Sequence, residues 1–363
     1  MSNNNLLFED QSVWEYIRWY SYLSEQHKLL YISTPKVACT SLKWWFADLD
    51  GYSQLLSEVK DSNQPDPDLV VHDTFHKVAP SVTGLMPELL APALVSENFF
   101  RFAVVRNPYK RIFSAWQSKL LLREPFTSDP YKQSDFFLMP IKNTEDIAQA
   151  FEGFLEHLAT HEAPHYLDPH WTPQTSLLRP DLITYTNISH IEDTKVLKLE
   201  LAKHLGAHFL DPFAQHRANE SLIPYLPDFI TKRAVDLIKS LYADDFRTFG
   251  YDDRLPDAKV EFPTSMMDIA LQAVSMIRGR HQRLGEEFRQ IAEKNQAITA
   301  RDKQIVEREN QVFHLTQTIV ERNKQITSLT TQLNEIHKSK IWYLIQMYRK
   351  IRSRIHLPVK GQK

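Results

Sequence analysis

The chain has 363 residues, of which 42% are hydrophobic and 24% charged, and its formal net charge is −2 at pH 7. This length predicts one sizeable domain with additional material, and the near-zero charge argues against a globally basic nucleic-acid-binding protein. The single cysteine, Cys39, excludes an intramolecular disulfide and indicates a reducing compartment. No apolar run is long enough to span a bilayer and no signal peptide is evident, so we expect an intracellular protein.

The first clear element follows residues 1–28, for which we expect a helical extension. The stretch LYISTPKVACTSLKWWF joins a short apolar run to a loop of small and hydroxyl-bearing residues and then to a helix-like run. Free N–H groups and the dipole at such a helix start favour an anion, and Lys36 adds a mobile cation. The glycines of a P-loop are absent, so a tight turn with an exposed Lys36 is the alternative.

A second strand and helix carry a related pattern. The apolar run Phe99–Val105 predicts a buried strand, and Pro108 begins a helix with apolar residues at helical spacing. Arg106 closes the strand, and Ser114 lies two turns into the helix. An arginine fork and a serine hydroxyl bind phosphate. The two elements together therefore suit a nucleotide that carries phosphates at both ends of its ribose.

The rest of the globular region, which ends near residue 255, alternates strands and helices. We predict a third strand at Leu182–Tyr185 and helices at about 145–160, 193–205 and 228–243. This alternation predicts an α/β fold with a central parallel sheet covered on both faces.

From residue 264 to residue 337 the pattern predicts one long helix. An apolar residue recurs at every seventh position, and we call this series the heptad stripe: Ile291, Ile298, Ile305, Val312, Ile319, Ile326 and Leu333. The stripe predicts a coiled coil and hence a homo-oligomer, either dimer or trimer. Half of the second seam is polar, so a solvated single helix is the alternative.

The C-terminal tail, residues 338–363, is basic. It carries eight lysines and arginines and no acidic residue, with Trp342, Tyr343 and Ile345 among the apolar residues interleaved with them. A basic helix with aromatic anchors fits attachment to an anionic membrane surface. A solvated end of the coiled coil is the alternative.

Four blocks, in order, resemble the carbohydrate sulfotransferases that include the Golgi chondroitin and dermatan enzymes. PKVACTSLK resembles their 5′-phosphosulfate loop, and VVRNPYKRIFSAW resembles their 3′-phosphate motif. DPHWTPQTSLLRPDLITYTNISHIEDT resembles their His-Trp-x-Pro block, and LYADDFRTFGY resembles the end of their domain. The resemblance covers residues 29–251. The membrane anchor and lumenal cysteines of the Golgi members are absent, which indicates a bacterial-type cytosolic enzyme.

The resemblance implies a P-loop-like three-layer domain over residues 29–255. It implies binding of 3′-phosphoadenosine-5′-phosphosulfate (PAPS) and transfer of the sulfuryl group to a hydroxyl of a carbohydrate, either a cell-surface polysaccharide or a glycolipid precursor. Lys36 would stabilise the bridging oxygen of the departing nucleotide, while Arg106 and Ser114 would hold the 3′-phosphate. The residues of the 5′ loop are Pro35, Lys36, Val37, Ala38, Cys39, Thr40 and Ser41. The family usually has glycine at position 38, where alanine is tolerable if φ is negative.

The sugar hydroxyl needs a base, and a histidine supplies one near neutral pH. His72 stands at the family's VH segment, and His76 shares its face if the segment is helical. An ordinary surface or capping role is the alternative for each. His170 is a third candidate for the base but is expected to line the acceptor site instead, where Trp171 would stack on a sugar ring. The HRANES segment offers further polar contacts to nucleotide or acceptor, namely Arg217, Asn219 and Ser221, and a solvated turn is the alternative.

No metal is expected, because the cations are built in. His157, His161 and His165 have helical spacing, but Pro164 breaks the helix that they would need to form a metal site. Two other functions compete with sulfuryl transfer. A nucleotide kinase needs a Walker sequence and a magnesium carboxylate, neither of which is evident. A non-catalytic, membrane-docked coiled-coil scaffold is opposed by the intact Lys36, Arg106 and Ser114. The protein is expected in the cytoplasm, peripheral at the inner face of the cell membrane through its tail.

Overall fold

The computed structural model describes residues 11–60, 67–160, 168–214, 221–258 and 261–355. The chain divides into two compact units, Met1–Gly285 and Glu286–Lys363. The first unit contains the sheet and the residues that line the main cavity. In the second unit nearly all the described residues are helical.

A four-stranded mixed sheet forms the centre of the first unit, in the order β1-β2-β3-β4. Its strands are β1 (Ser21–Ser24), β2 (Leu29–Ile32), β3 (Phe100–Val105) and β4 (Asn187–His190). Strands β2, β3 and β4 are parallel, as predicted, whereas β1 runs antiparallel to β2. A short turn joins β1 to β2, and a turn of that length permits only antiparallel pairing. The expected parallel sheet is therefore mixed, and residues 1–28 contain a strand as well as a helix.

Helices precede, connect and follow the strands along the chain. The first seven are α1 (Gln11–Tyr20), α2 (Cys39–Leu49), α3 (Ser53–Glu58), α4 (Val70–Asp73), α5 (Phe75–Val78), α6 (Pro87–Val95) and α7 (Pro108–Trp116), and α7 continues into a π-helical turn, Gln117–Leu121. The next are α8 (Asp135–Leu138), α9 (Thr144–Thr160), α10 (Gln174–Leu178), α11 (Lys195–Leu205), α12 (Lys232–Leu241) and α13 (Ala243–Phe249). The last two are α14 (Thr264–Lys338) and α15 (Lys340–Ile355). The helices predicted near 145–160, 193–205 and 228–243 correspond to α9, α11 and α12.

The third predicted strand is displaced along the chain. The run Leu182–Tyr185 is predicted as a strand, but β4 begins only at Asn187. Ile183 is buried in a loop and packs with the residues of one face of the sheet. Pairing with β3 starts where the Thr186 N–H donates to the Arg101 carbonyl at 2.7 Å. A short apolar run in a buried loop gives the same signal as a strand, which explains the error.

Apolar residues cover both faces of the sheet. On one face, Tyr31 and Phe102 stack with their ring centroids 5.0 Å apart and pack with residues of α2 and α11. On the other face, Leu30 and Val105 pack with residues of α1 and α6. Neighbouring side chains along a strand point to opposite faces. The result is a helix–sheet–helix arrangement, and the chain has the expected α/β architecture.

A third apolar cluster joins the later helices to the start of α14. Phe113 of α7 and Phe151 of α9 belong to it, and Met267 and Val274 of α14 are buried in it. Arg278 of α14 also donates from Nε to the Leu121 carbonyl at 2.7 Å. The first turns of the long helix are therefore part of the globular unit.

In the second unit the heptad stripe is exposed. Its seven residues are each 52–62% exposed. Among the described residues, no helix is long and apolar enough to cross a membrane. The coiled coil stays a prediction, because the helix that would cover the stripe would belong to another copy of the chain.

Candidate active site

The loop between β2 and α2 lines a large cavity. Strand β2 is buried along its length and ends at Ile32, and α2 begins at Cys39 with Ala38 as its N-cap. Lys36 and Ala38 adopt φ angles of +67° and +52°. These two left-handed residues bend the chain sharply, so that the loop and the first turn of α2 face the same space. Unpaired N–H groups at the start of a helix are a ready anion-binding site.

Ala38 does not meet the condition under which alanine was expected to be tolerable. Its φ is positive rather than negative. For a residue with a Cβ, this left-handed conformation costs about 1–2 kcal/mol relative to the right-handed helical conformation. The neighbouring side chains of Val37 and Leu42 are fully buried. We infer that their packing holds the loop in this conformation despite the strain.

A cavity of about 1190 Å³ brings most of the predicted site residues together. From the loop and α2 it is lined by Pro35, Lys36, Ala38, Cys39, Thr40 and Ser41, and from elsewhere by His72, His76, Arg106, Ser114 and His170. Val37 is also one of the residues predicted in the 5′ loop, but it does not line the cavity. Its side chain is buried in the core, as expected for an apolar residue in a loop of mostly small and polar residues.

Arg106 lies directly beside the loop. Its Nη1 donates to the Lys36 carbonyl at 3.2 Å, and its backbone N–H and carbonyl both bond to the Gln174 side chain, at 2.9 Å each. Strands β2 and β3 are parallel neighbours, so their carboxyl ends meet at one edge of the sheet. The two predicted phosphate-binding elements therefore open into one cavity.

Ser114 lines the cavity from the second turn of α7. Its Oγ lies 3.5 Å from the Oγ of Ser221, which lines the cavity as well. Lys110, one turn earlier on α7, adds a cation to the same wall. Arg217 and Asn219, predicted as contacts from the HRANES segment, lie outside the described residues.

Lysines give the cavity positive charge next to the loop. Burial, and then the nearby charge of Lys119, lowers the pKa of Lys36 to about 8. Lys119 stands in the π-helical turn after α7 and forms an ion pair with Glu124. Lys119 was not predicted from the sequence, because α-helical periodicity does not indicate where a π-helical turn directs its side chains.

His72 is held by hydrogen bonds at both ring nitrogens. Thr40 Oγ1 lies 2.9 Å from Nε2, and Lys43 Nζ lies 2.9 Å from Nδ1. An ammonium group only donates, so Nδ1 accepts from Lys43 and Nε2 carries the proton shared with Thr40. Burial and the charge of Lys43 lower the pKa of His72 well below its usual value. This histidine is therefore neutral near pH 7, with both nitrogens engaged.

His76 reaches the cavity although the helix breaks between it and His72. Helix α4 ends at Asp73 and α5 begins at Phe75. The His76 ring packs against Trp19 with centroids 5.4 Å apart and an interplanar angle of 81°. The two histidines share a cavity wall, as two short helices rather than one.

His170 has a carboxylate partner that the sequence analysis did not single out. Asp168 Oδ1 lies 2.6 Å from His170 Nδ1 and also accepts from the His170 backbone N–H at 2.8 Å. Burial lowers the pKa of His170, and the hydrogen bond with Asp168 opposes this only in part. In the part of the chain that the structure describes, no group hydrogen-bonds His170 Nε2. The sequence did contain a signal for this pair, because an aspartate side chain often accepts a hydrogen bond from the backbone two residues later in a turn.

Trp171 does not present its ring to the cavity. It is 3% exposed, and it packs edge-on against Tyr131 and Phe154 with centroid distances of 5.6 and 5.5 Å. The predicted stacking of Trp171 on a sugar is therefore corrected by the structure. Its large apolar area is used to fill the third apolar cluster, where an aromatic side chain stabilises most.

A buried arginine that the sequence analysis missed joins the loops around the cavity. Arg111 of α7 donates to the carbonyls of Pro35, Thr172 and Pro169 at 3.2, 2.8 and 2.8 Å. Its side chain is almost completely buried, and a buried guanidinium is stable only where its donors are satisfied. Arg111 therefore ties the loop after β2 to the PHWTP segment.

The LYADDFRTFGY motif supports the site through a buried carboxylate, that of Asp245. Asp245 accepts from the backbone N–H groups of Gln174 and Thr175, each at 2.8 Å, and from Thr175 Oγ1 at 2.9 Å. Burial raises the pKa of Asp245, and the charge of Arg111 opposes this. The side chain of Gln174 in turn bonds the backbone of Arg106. Asp245 of this motif therefore helps to position Arg106 without lining the cavity itself.

The acids and histidines do not form a metal site in the part of the chain that the structure describes. No group of three or more His, Cys, Asp or Glu side chains is placed to hold an ion there. Two of the three spaced histidines, His161 and His165, lie outside that part.

Comparison with known proteins agrees with the motifs. A model of the sulfotransferase family matches residues 19–252. Carbohydrate sulfotransferase 10 of Xenopus laevis is 25% identical over 251 residues, 64% of this chain and 67% of that protein. The Gallus gallus protein of the same name is 25% identical over 254 residues, 65% of this chain and 67% of that protein. Carbohydrate sulfotransferase 12 of Xenopus laevis is 24% identical over 258 residues, 63% of this chain and 59% of that protein. No solved structure matches the chain.

Proposed function

We infer the function from one premise: the chain belongs to the sulfotransferase family, whose model matches residues 19–252. We propose that it transfers the sulfuryl group of PAPS to a hydroxyl of a carbohydrate. The observation that carries this proposal is the hydrogen bond from Arg106 Nη1 to the Lys36 carbonyl, because it sets the two anion-binding elements side by side. The cavity of about 1190 Å³ has room for a nucleotide and part of a sugar together.

The residues that would hold PAPS come from the loop and from α7. The N–H groups of the loop and the hydroxyls of Thr40 and Ser41 suit the 5′ end. The Arg106 fork and the Ser114 hydroxyl suit the 3′-phosphate. PAPS supplies the activated sulfuryl group, and Lys36 neutralises the charge that develops on the bridging oxygen as its bond to sulfur breaks.

A histidine takes the proton of the acceptor hydroxyl as the new oxygen–sulfur bond forms. His72 was predicted for this role, but both of its nitrogens are engaged by Thr40 and Lys43. His170 lines the cavity, and no described group hydrogen-bonds its Nε2, while Asp168 orients the ring and would stabilise the imidazolium. We therefore propose His170 as the base, and His72 as a residue that positions Thr40 and Lys43. General-base catalysis of this kind contributes about 10²–10⁴-fold in rate.

Two further proposals concern assembly and location. The exposed heptad stripe supports a homo-oligomer through a coiled coil. The basic helix α15 supports peripheral attachment to the inner face of the cell membrane in the cytoplasm. A membrane-held enzyme would suit a polysaccharide or glycolipid precursor as acceptor.

The deciding experiment combines binding with transfer. Calorimetry of the full chain is expected to show binding of adenosine 3′,5′-bisphosphate (PAP), the desulfated product, and much weaker binding of ATP with Mg²⁺. Radiolabelled PAPS is expected to label surface glycan extracts, also in EDTA, and Lys36→Ala is expected to lower this transfer about 10²–10³-fold. Preferential binding of Mg²⁺-ATP would point to a kinase, and binding of neither nucleotide would point to a scaffold.

A further inference from the structure

An exposed tryptophan lines the cavity at a distance in sequence from the loop that is proposed to bind the donor. Trp19 of α1 is 47% exposed, although it lines the cavity together with Glu15, Tyr20 and His76. Exposure of nearly half of a tryptophan residue forgoes hydrophobic stabilisation that burial would give. Trp14, Trp44, Trp45, Trp116 and Trp171 are all buried, so among the described residues of the first unit Trp19 is the tryptophan that is left exposed, and its position in the cavity lining suits a stacking ligand.

The Trp19 ring is held in place rather than mobile on the surface. A Cβ added to Gly84 would lie 3.1 Å from Cζ3 of Trp19 and 3.2 Å from Cβ of His76, so glycine at this position lets the backbone approach the ring. Gly84 also has φ +67°, which side chains rarely adopt. His76 meets the ring edge-on at 5.4 Å.

The end of α1 that carries Trp19 is itself fixed to the same segment. Arg18 Nε donates to the Leu85 carbonyl at 2.8 Å, and the Leu85 N–H donates to the Arg18 carbonyl at 3.3 Å. Arg18 also pairs with Glu15 at 2.9 Å. The indole is therefore a rigid, half-exposed aromatic surface whose position is set from two sides.

The charged residues that line the cavity are unevenly distributed along the chain. In the part of the chain that the structure describes, every lysine and arginine that lines the cavity lies within residues 36–43 or 106–119. The carboxylates Glu124 and Glu192 also line it, and Glu124 pairs with Lys119. From the segments that carry Trp19 and His76, residues 15–22 and 69–83, the charged residues in the lining are the carboxylates Glu15, which pairs with Arg18, and Asp73. An acceptor rich in carboxylates or sulfates would meet like charge at Asp73. A neutral sugar would not, and it has both an apolar ring face to stack on an indole and hydroxyls for a carboxylate.

We propose that Trp19 is the stacking surface of the acceptor site and that it selects a neutral pyranose over a uronate-containing or sulfated sugar. The inference rests on the proposed function and specifies its acceptor. Trp19 replaces Trp171, which is buried, as the aromatic residue at the acceptor. The neighbouring His76 and Gly84 position the indole.

The test uses the full chain saturated with PAP on an array of neutral, uronate-containing and sulfated glycans. Wild type is expected to bind neutral glycans, and Trp19→Ala to bind them roughly tenfold more weakly or worse. Trp19→Phe is expected to recover part of the binding, since it keeps an aromatic face. Gly84→Ala is expected to weaken binding while leaving the indole intact, and a thermal melt checks that it folds. Leu89→Ala removes an exposed apolar residue outside the cavity and is the matched control.

Calorimetry with PAP separates failure of this inference from failure of the proposed function. All five proteins are expected to bind PAP within about twofold of one another, since the stacking surface does not touch the donor elements. Wild type that binds PAP but prefers uronate or sulfated glycans, binds no neutral glycan, or is unaffected by Trp19→Ala overturns the inference alone. Wild type that does not bind PAP overturns the proposed function.

Discussion

Lys36 shows how a single residue affects the charge of the cavity. Burial and then Lys119 lower its pKa to about 8, so its ammonium form dominates below that pH and is lost above it. Lys119, Arg106 and Lys110 line the same cavity, and the repulsion among these cations is relieved when an anion binds. The pH dependence of donor binding should therefore follow Lys36.

We predict that the affinity of wild type for PAP falls as the pH rises from 7 to 9. The cause is loss of the Lys36 proton near pH 8. Calorimetry at several pH values measures this change. Lys36→Arg is the control, because a guanidinium keeps its charge over this range, and its affinity should change little. An equally steep decline in Lys36→Arg would assign the effect to another group.

His170 and His72 are expected to differ in the kinetic constant that each affects. His170→Ala should lower kcat about 10²–10⁴-fold and leave PAP affinity nearly unchanged. His72→Ala should mainly raise the KM for PAPS, since it releases Thr40 and Lys43. Steady-state kinetics with radiolabelled PAPS separates the two. Full loss of kcat in His72→Ala with a nearly normal His170→Ala would return the role of base to His72.

The pH profile gives a second test of the same assignment. The pKa of His170 lies below its usual value of 6.5 because of burial, so kcat should rise with pH through that lowered pKa and be level by pH 7. Asp168→Asn removes the charge that stabilises the imidazolium. It should lower kcat and move the acidic limb to lower pH, and an unchanged limb would exclude the pair.

Ala38→Gly is predicted to stabilise the protein. Glycine relieves a left-handed strain of about 1–2 kcal/mol, and its greater freedom in the unfolded chain returns about 0.5–1 kcal/mol of that gain. Urea unfolding should show a net increase of up to about 1 kcal/mol. Ala47→Gly in the same helix is the control and should destabilise by about 1 kcal/mol or more. A loss of stability in Ala38→Gly would contradict the assigned φ.

At the scale of elements, α7 and α14 each serve two purposes. Helix α7 presents Ser114 and Lys110 to the cavity while its buried Arg111 ties three loop carbonyls together. Helix α14 packs Met267 and Val274 into the globular unit, whereas the heptad stripe further along it is exposed. Each helix therefore combines a packed segment with an exposed one. The exposed part of α7 lines the cavity, and the exposed part of α14 is predicted to bind another copy of the chain.

The stripe should hold copies of the chain together. The double variant Ile305→Lys with Val312→Lys places charge in the seam, where each buried aliphatic side chain contributes about 1.5–3 kcal/mol. Light scattering after size-exclusion chromatography should show an oligomer for wild type and a monomer for this variant. Asn310→Lys with Gln317→Lys, on the opposite side of the heptad, is the control. A wild-type monomer would leave α14 a solvated helix.

At the scale of the whole molecule, the charges are unevenly distributed along the chain. The net charge is only −2, yet the tail from residue 338 onward carries eight basic residues and no acid. Helix α15 keeps its aromatic and aliphatic side chains Tyr343, Leu344 and Ile351 largely exposed. A nearly neutral protein with one basic, apolar end suits attachment of that end to an anionic surface.

The tail should bind anionic vesicles in a salt-dependent way. Replacing Arg349, Lys350, Arg352 and Arg354 with glutamine removes about 1 kcal/mol per residue. Cosedimentation with vesicles that contain phosphatidylserine should fall by roughly three orders of magnitude in affinity, whereas neutral vesicles should bind weakly throughout. The control replaces Arg289, Lys303 and Lys324 with glutamine, which removes three charges from α14 on the side opposite the heptad stripe. Equal losses in the two variants would exclude a role for the tail itself.

Local and periodic features were readable from the residues alone. The order of strand, loop and helix around Lys36, the spacing of Arg106 and Ser114, and the long helix all depend on neighbours in the chain or on a repeating pattern. The adjacency of Lys36 and Arg106 was predictable too, since parallel neighbouring strands end at one edge of a sheet. The third strand was misplaced because an apolar loop and an apolar strand look alike.

Tertiary structure alone decided which side chains line the cavity and which hydrogen bonds they make. These properties depend on contacts between residues that are far apart in the chain. Packing against Tyr131 and Phe154 buries Trp171 away from the cavity. Hydrogen bonds from Thr40 and Lys43, about 30 positions away, fixed the tautomer of His72. A histidine's free nitrogen, an arginine's buried donors and a tryptophan's exposed face are set by whichever distant groups the fold brings near, and a motif read along the chain does not contain that information.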